Sequence, residues 1–234
     1  MKQGYKTLGI IGGMGPEATS VFFNRIVKHT DAEKDQDHIN SIILNYADMP
    51  DRTKAIISED TAQIREALEN CARVLEGMGA ENIAIPCNTA HFFIDAIKGA
   101  TDVNVISMVD ESAELARDMG AKKVGIMATD GTVWSGVYAR ACKERNMIAV
   151  HPPAGVQRNV MSLIYDDIKQ GKPGDPEKFN RVIESFREDG CDIVILACTE
   201  LSVYCAVNEV PDFCIDAMDV LVKACIEKSG AKYV

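Results

Sequence analysis

The sequence lacks the features of a membrane protein, a nucleic-acid binder or a metal site. No apolar run approaches the ~20 residues that a transmembrane helix needs, so we expect no membrane span. The chain has 25 Lys and Arg against 35 Asp and Glu, a formal charge of −10. This balance argues against a nucleic-acid partner, which would require a basic face. Four histidines without paired spacing, and no C-x-x-C pair, give no support for a metal centre.

We also expect no secretory signal. The N-terminal run MKQGYKTLGIIGG has a short apolar stretch that ends in glycines, which is not the pattern of a signal peptide. We therefore expect a cytoplasmic protein whose eight cysteines are reduced thiols, most of them small buried hydrophobes. Apolar residues make up 47% of the 234, which excludes disorder and suffices for one large domain or two small ones.

Short apolar segments alternate with longer helical patterns along the chain. Eight segments are apolar on both faces, which is typical of buried parallel strands: Leu8–Ile11, Ser41–Asn45, Asn82–Pro86, Asn104–Ser107, Lys123–Ala128, Ile148–His151, Asp192–Ala197 and Phe213–Ile215. Seven patterns predict helices: Pro16–His29, Glu59–Met78, Asp110–Met119, Thr132–Arg145, Val156–Lys169, Pro176–Glu188 and Ala217–Glu227. This alternation predicts an α/β protein with parallel sheets.

The two halves of the chain resemble each other. The segment GAENIAIPCNT, which starts at Gly79, aligns without gaps on GCDIVILACTE, which starts at Gly190, and brings Cys87 onto Cys198. This internal similarity predicts two pseudo-symmetric lobes, each a short parallel sheet flanked by helices, with the active site in the cleft between them. We place the first lobe at residues 1–107 plus a C-terminal helix at 216–234, and the second at residues 108–215.

Cys87 and Cys198 are the two cysteines with a chemical context. Each follows an apolar strand and precedes a predicted helix start, where Thr89 or Thr199 is the candidate cap. A helix N-terminus is expected to lower the pKa of a thiol from about 8.5. Two cysteines across a cleft suit acid–base catalysis at a carbon beside a carboxylate, as in racemisation or epimerisation, with Asn88 among the polar donors. The alternative interpretation is a pair of buried, inert cysteines.

The glycine turn after the first strand offers a different interpretation. Gly13-x-Gly15-x-x-Ala18 fits a dinucleotide-binding fingerprint and would suit a nicotinamide oxidoreductase. That fingerprint expects an acidic residue about 20 positions further on, at the end of the second strand. Here that strand ends near Asn45, some 30 residues after Gly15. A tight turn beside any small anionic ligand is the other possibility.

Cations are needed near the cleft if an acidic protein is to bind an acidic substrate. Arg52 lies in a predicted loop after the second strand, and Lys169 ends a predicted helix. Either could equally be a solvated surface charge, and Lys169 could instead complement a helix C-terminus. Thr129, in the turn of the second half that matches the glycine turn, could present a hydroxyl to a carboxylate. His91, four residues after Cys87, could tune the thiol or serve in packing.

Four motifs carry a resemblance to a known family. LGIIGGMGPEAT, PDRT, PCNTAH and ACTEL, in this order and spacing from Leu8 to Leu201, resemble the aspartate racemase branch of the aspartate/glutamate racemase family. The resemblance implies two pseudo-symmetric α/β lobes, commonly a homodimer, and racemisation of L- and D-aspartate without pyridoxal phosphate, metal or any other cofactor.

The resemblance also implies roles for particular residues. Cys198 would deprotonate the L-enantiomer and Cys87 the D-enantiomer, while Arg52 and Lys169 would clamp the side-chain carboxylate. Further ligand contacts are implied at Met14, Asn88, Thr89, Thr129 and Thr199, with His91 and Glu200 as residues that could tune the thiols.

Departures from the glutamate racemases favour aspartate as the substrate. Those enzymes open on a D-S-G turn and carry His after the second Cys-Thr, whereas this chain has Gly12-Gly13-Met14 and Glu200. Several alternatives stay open: a glutamate or broader racemase, a maleate isomerase-like reaction or a decarboxylase on the same scaffold, a nicotinamide oxidoreductase, or a non-catalytic dicarboxylate-binding module. We expect a positive pocket between Cys87 and Cys198 to hold the dicarboxylate.

Overall fold

Eight strands form two parallel sheets within residues 4–234. The computed structural model describes residues 4–234; residues 1–3, where the predicted first lobe and the N-terminal run begin, lie outside the described part. The strands are β1 (Leu8–Gly12), β2 (Ser41–Asn45), β3 (Asn82–Ala84), β4 (Asn104–Ile106), β5 (Lys123–Ala128), β6 (Ile148–Val150), β7 (Ile193–Ala197) and β8 (Cys214–Asp216). One sheet has the order β2-β1-β3-β4 and the other β6-β5-β7-β8. All eight predicted strands and the parallel α/β fold are therefore confirmed.

Most helices connect successive strands of one sheet, while the helix after β4 joins the two sheets and the last helix follows β8. They are α1 (Pro16–His29), α2 (Arg52–Ile57), α3 (Ala62–Gly77), α4 (Ile94–Gly99), α5 (Met108–Asp118), α6 (Asp130–Ser135), α7 (Val137–Glu144), α8 (Ala154–Ser162), α9 (Pro176–Glu188), α10 (Thr199–Cys205) and α11 (Ala217–Lys228). A π-helical segment, Leu163–Asp167, and a 3₁₀ turn, Ile168–Gln170, continue α8, and another 3₁₀ turn, Thr89–Phe93, precedes α4. No helix within residues 4–234 is long and apolar enough to cross a membrane.

The interpretation of Arg52 as a loop residue is wrong. Arg52 is the first residue of α2, because the carboxylate of Asp51 caps this helix by accepting a hydrogen bond from the backbone N–H of Lys54 at 2.8 Å. The helix predicted to start at Glu59 begins instead at Ala62, since Glu59 has a left-handed φ of 60° that separates α2 from α3.

Two other predicted helices are interrupted. The pattern Thr132–Arg145 is divided between α6 and α7 at Gly136, whose φ of 66° ends the first helix in a left-handed conformation. The pattern Val156–Lys169 passes into the π-helical segment Leu163–Asp167. Apolar periodicity does not distinguish these local changes, because the side chains on either side still face the same core.

Three apolar clusters hold the fold together. The central cluster draws buried side chains from both sheets and from α1, α5 and α11, which lie between them. The two outer clusters cover the opposite faces, one with α3 and one with α8 and α9. Burial on both faces explains why β1 and β7 are wholly apolar and fully buried. The carboxyl ends of β3 and β7, in the interior of their sheets, lead directly to Cys87 and Cys198.

Candidate active site

A cavity with about 20 Å³ of free space lies where residues from the two sheets converge. Ten of the eleven predicted site residues line it: Met14, Arg52, Cys87, Asn88, Thr89, Thr129, Lys169, Cys198, Thr199 and Glu200. Asp51, Thr53 and Tyr165 complete the lining, and the sequence analysis missed all three. His91 does not reach the cavity. Cys87 and Cys198, the two cysteines of the similar segments, thus line the same cavity.

Cys198 stands at the N-terminus of α10 with its thiol already engaged. The residue is the N-cap and is only 7% exposed, and its thiol donates to Glu200 Oε2 at 2.9 Å. Burial, with the charge of Glu200 beside it, raises the pKa of this thiol well above its ordinary value, although Lys169 and a backbone N–H oppose the change. The expected lowering of the pKa of Cys198 is therefore wrong, because desolvation and a neighbouring carboxylate outweigh the helix N-terminus.

Glu200 joins the thiol to a cation. Its second oxygen, Oε1, accepts from Lys169 Nζ at 2.6 Å, and the same ammonium lies 5.5 Å from the centre of the Tyr165 ring. Burial works against the charge of Lys169, but the ion pair and hydrogen bond with Glu200 more than offset it, so the pKa of Lys169 is raised. Cys198, Glu200 and Lys169 therefore form one connected chain along the cavity wall.

Cys87 lies in the turn after β3 and is 5% exposed. Its carbonyl oxygen is 2.9 Å from His91 Nδ1, and His91 Nε2 accepts from the backbone N–H of Met108 at 3.0 Å. These two contacts assign a neutral ring that donates from Nδ1, and burial lowers the pKa of His91 to about 4. His91 thus holds the backbone of Cys87 in place and does not touch its thiol.

Arg52 brings an unneutralised positive charge to the cavity. Its guanidinium donates to three backbone carbonyls, those of Met49 at 3.2 Å, Pro50 at 2.9 Å and Met14 at 3.1 Å. Within residues 4–234 no carboxylate forms an ion pair with it, and its Nε is buried without a partner. Neutral acceptors fix the orientation of the side chain but leave its charge free for an anion.

Four threonine hydroxyls form a buried cluster that links the two halves of the chain. Thr89 lies 3.1 Å from Thr129 and 2.8 Å from Thr132, and Thr53 donates to Thr129 at 3.2 Å. Thr129 also caps α6. Neither Thr89 nor Thr199 caps a helix through its side chain, so that part of the prediction is wrong.

Asn88 offers a second free donor at the cavity. Its side-chain oxygen accepts from the hydroxyl of Tyr138 at 2.5 Å, which leaves its Nδ2 buried and without a partner. A buried amide N–H without an acceptor is destabilising, so an orphan at a cavity wall marks a position where a ligand oxygen would be stabilising.

The missed residues had weak sequence signals. Asp51 and Thr53 flank Arg52 in PDRT, and Tyr165 precedes Lys169 by about one helical turn. The Tyr165 hydroxyl donates to Asp51 Oδ2 at 3.2 Å, which joins α2 to the π-helical segment across the cavity. Unusual π-helical turns often occur at functional sites, but this one becomes visible only in the folded chain.

The glycine turn is explained by packing against the protein itself. Gly13 has a φ of 91°, and a Cβ there would come within 2.3 Å of the backbone of Tyr46. Its N–H already donates to Thr19 Oγ1 at 2.9 Å. The close approach that requires glycine here is therefore to the loop after β2, and this N–H is not free for a pyrophosphate.

Comparisons with known proteins agree with this geometry. The sequence model of the Asp/Glu/Hydantoin racemase family matches residues 11–225. The chain is 28% identical over 207 residues to the broad specificity amino-acid racemase RacX of Bacillus subtilis, which covers 83% of this chain and 86% of that protein.

Solved structures give the same result. The Picrophilus torridus aspartate racemase superposes with a TM-score of 0.82 at 31% identity and covers 98% of this chain and 96% of its own. An aspartate racemase homologue from Pyrococcus horikoshii has a TM-score of 0.78 at 27% identity over 96% of this chain and 99% of its own.

Proposed function

The chain belongs to the Asp/Glu/Hydantoin racemase family and is an amino-acid racemase, and from this premise we propose that it interconverts L- and D-aspartate by proton transfer between Cys87 and Cys198. One observation carries the proposal: Cys87 and Cys198 line the same cavity, beside the guanidinium of Arg52, which has no carboxylate partner among the described residues. The two thiols are the acid and the base, and the proposed reaction needs no cofactor.

The proposed mechanism places the Cα of the amino acid between the two sulfurs. In one direction the Cys198 thiolate removes the proton from the Cα of L-aspartate, and the Cys87 thiol donates its own proton to the opposite face. The product is D-aspartate, with Cys198 now a thiol and Cys87 a thiolate. The reverse reaction uses the same two groups in exchanged roles.

The free donors of the cavity support an acidic substrate. The carbanion formed at Cα spreads its charge onto the α-carboxylate, so donors aimed at that group stabilise the transition state. Asn88 Nδ2 and the threonine hydroxyls are suited to this task, and Arg52 is suited to the second carboxylate. Lys169 contributes a further charge, although in the free protein it is paired with Glu200.

The cavity is nearly closed, with about 20 Å³ of free space, so the chemistry of its lining and not its size argues for the substrate. Similarity to a broad specificity racemase makes a wider substrate range the alternative to aspartate. A panel that contains aspartate, glutamate and neutral amino acids separates the two.

The proposal is tested by exchange in D₂O. The protein is incubated with L-aspartate, without pyridoxal phosphate, and D-aspartate with deuterium at Cα is expected, detected by chiral chromatography and mass spectrometry. Cys87→Ser and Cys198→Ser should each reduce racemisation at least ~100-fold, since each removes one of two required acid–base groups. Cys191→Ser, a half-buried cysteine outside the cavity, is the matched control and should retain wild-type activity.

Two outcomes would contradict parts of the proposal. Full racemisation by either cysteine variant would refute the two-base mechanism. Exchange with glutamate or neutral amino acids but not with aspartate would refute the substrate assignment, while membership of the family would stand.

A further inference from the structure

Glu200 and Lys169 separate the candidate active site from a second cavity. This outer cavity, with about 240 Å³ of free space, lies against the start of α1 and is lined by Gly15, Pro16, Glu17, Ala18, Ile168, Lys169, Glu200 and Val203. The Lys169 side chain is 26% exposed and that of Glu200 only 9%. One end of the ion pair therefore meets solvent, and the other end touches the buried thiol of Cys198.

The proposed reaction ends each turnover with the protonation states of the two cysteines exchanged, and the starting states must be restored. Each conversion of L- to D-aspartate leaves a proton on Cys198 and removes one from Cys87. Before the next L-aspartate reacts, Cys198 must lose that proton again. Both cysteines are at least nine-tenths buried, so bulk solvent has little direct access to either thiol.

We propose that Glu200 is a catalytic residue that carries the proton of Cys198 out to the outer cavity and so resets the enzyme between turnovers. This inference rests on the two-base function proposed above. In the reset, the S–H bond of Cys198 breaks, its electron pair stays on sulfur, and the proton binds Glu200 Oε2. The resulting carboxylic acid then gives its proton to water in the outer cavity and becomes a carboxylate again. Cys87, left as a thiolate by the same turnover, takes one proton from water once the product has gone, so the pair returns to Cys198 thiolate and Cys87 thiol.

The contacts of Glu200 fit this role. Oε2 is the acceptor of the Cys198 thiol proton at 2.9 Å, and Oε1 is held by Lys169 at 2.6 Å, so a proton bound to either oxygen remains on the wall shared by the two cavities. Lys169 keeps its ammonium charge throughout and favours the carboxylate form after the proton has left.

The arrangement is specific to one of the two cysteines. Among the described residues no side-chain carboxylate hydrogen-bonds to the thiol of Cys87, and the carbonyl of Cys87 is occupied by His91. The cavity therefore has a proton acceptor dedicated to Cys198.

Steady-state kinetics of E200Q test the inference. The amide retains an acceptor for Lys169 but does not take up the thiol proton. We expect kcat for racemisation to fall ~100-fold, a typical effect for loss of one proton-transfer group. KM should fall by a similar factor, because a slow reset limits turnover at saturating substrate but not the first encounter at low substrate. The deuterium isotope effect of Cα-labelled substrate should approach 1 on kcat and persist on kcat/KM.

Chemical rescue provides the second measurement. In Glu200→Ala, formate added to the assay should restore kcat at least ~10-fold by replacing the missing carboxylate. Asp167→Asn is the matched control, since Asp167 forms a comparable ion pair with Lys178 at 2.6 Å but does not touch Cys198. This control should keep wild-type kinetics, and thermal unfolding checks that every variant is folded.

Three results would overturn the inference. One is an E200Q variant with wild-type kcat. Another is an equal fall of kcat and kcat/KM with an unchanged KM, and the third is a Glu200→Ala variant that formate does not rescue. Failure of the proposed function looks different, because wild-type protein would then show no Cα exchange, or the cysteine variants would remain active. The assay uses aspartate or the amino acid of the panel that exchanges fastest.

Discussion

At the scale of single residues, burial and neighbouring charges set the charge state and the free contacts of the side chains in the cavity. Cys198 lies before a helix, yet its thiol hydrogen-bonds to Glu200 and its pKa is raised, because burial and the neighbouring carboxylate outweigh the helix N-terminus. Arg52 is the opposite case, a charge fixed by three carbonyls and left without a counter-ion. These two side chains differ from surface residues of the same type only in their tertiary contacts.

His91 leads to a prediction about pH and stability. The pKa of His91 is about 4 in the folded protein, compared with 6.5 for an ordinary histidine. Between these values the unfolded chain binds a proton that the folded chain does not, so stability is present above pH 6.5 and is lost as the pH falls towards 4. The loss should reach ~3 kcal/mol, from ~1.4 kcal/mol for each pH unit of the shift.

Urea unfolding between pH 7 and 4.5 measures this loss. His91→Gln removes the titrating ring, so the variant should lose distinctly less stability over that range than the wild-type protein, even though it is less stable at pH 7. Equal slopes for the two proteins would contradict the neutral, buried assignment of His91.

At the scale of elements, the site depends on close contact between α2 and α6. Gly131, in the first turn of α6, has no side chain because the backbone of Thr53 in α2 passes beside it. This contact brings hydroxyls from the two halves of the chain into the threonine cluster. The helix α2, which sequence periodicity did not predict, is therefore essential for the shape of the cavity.

Gly131→Ala tests the α2–α6 contact. The added Cβ would lie 2.6 Å from Thr53 Cα, which is backbone and must shift. Overpacking of this kind costs about 1–3 kcal/mol in unfolding free energy, and kcat/KM should fall as α2 carries Arg52 away from the cavity. Gly77→Ala, where a Cβ meets nothing within 4 Å, is the control and should be neutral or slightly stabilising in urea unfolding. A Gly131→Ala variant of unchanged stability and activity would contradict this account.

At the scale of the whole molecule, one arginine ties the central layer together. Arg25 of α1 donates to Asp216 at 2.6 Å, to Asp219 at 2.7 Å and to the backbone oxygen of Ser202 at 2.7 Å. These contacts connect α1 with α10 and α11, so the helix that carries Glu200 is anchored to the shared core. The division into lobes at residues 107, 108 and 216 stays a prediction, and the central cluster runs across both sheets.

Arg25→Met should destabilise the whole protein. The change leaves the carboxylate of Asp216, which is 9% exposed, without its cation, and an uncompensated buried charge costs about 3–5 kcal/mol. Arg73→Met, which breaks an exposed pair with Glu69, should cost less than about 1 kcal/mol. Urea unfolding of both variants gives the comparison. Equal losses would show that Arg25 is no more than a surface charge.

The class of fold and most of the residues that line the cavity follow from the sequence alone. Runs of apolar residues specify buried parallel strands, and the similar segments around Cys87 and Cys198 mark equivalent strand ends. Both signals consist of neighbouring residues in the sequence, so neither requires knowledge of the tertiary structure. Ten predicted residues consequently line one cavity. Three features come from the tertiary fold and not from local order: the raised pKa of the Cys198 thiol, the free charge of Arg52, and the position of His91 outside the cavity. Each of these depends on groups distant in sequence, since burial and the approach of a carboxylate or carbonyl set the charge state of a side chain.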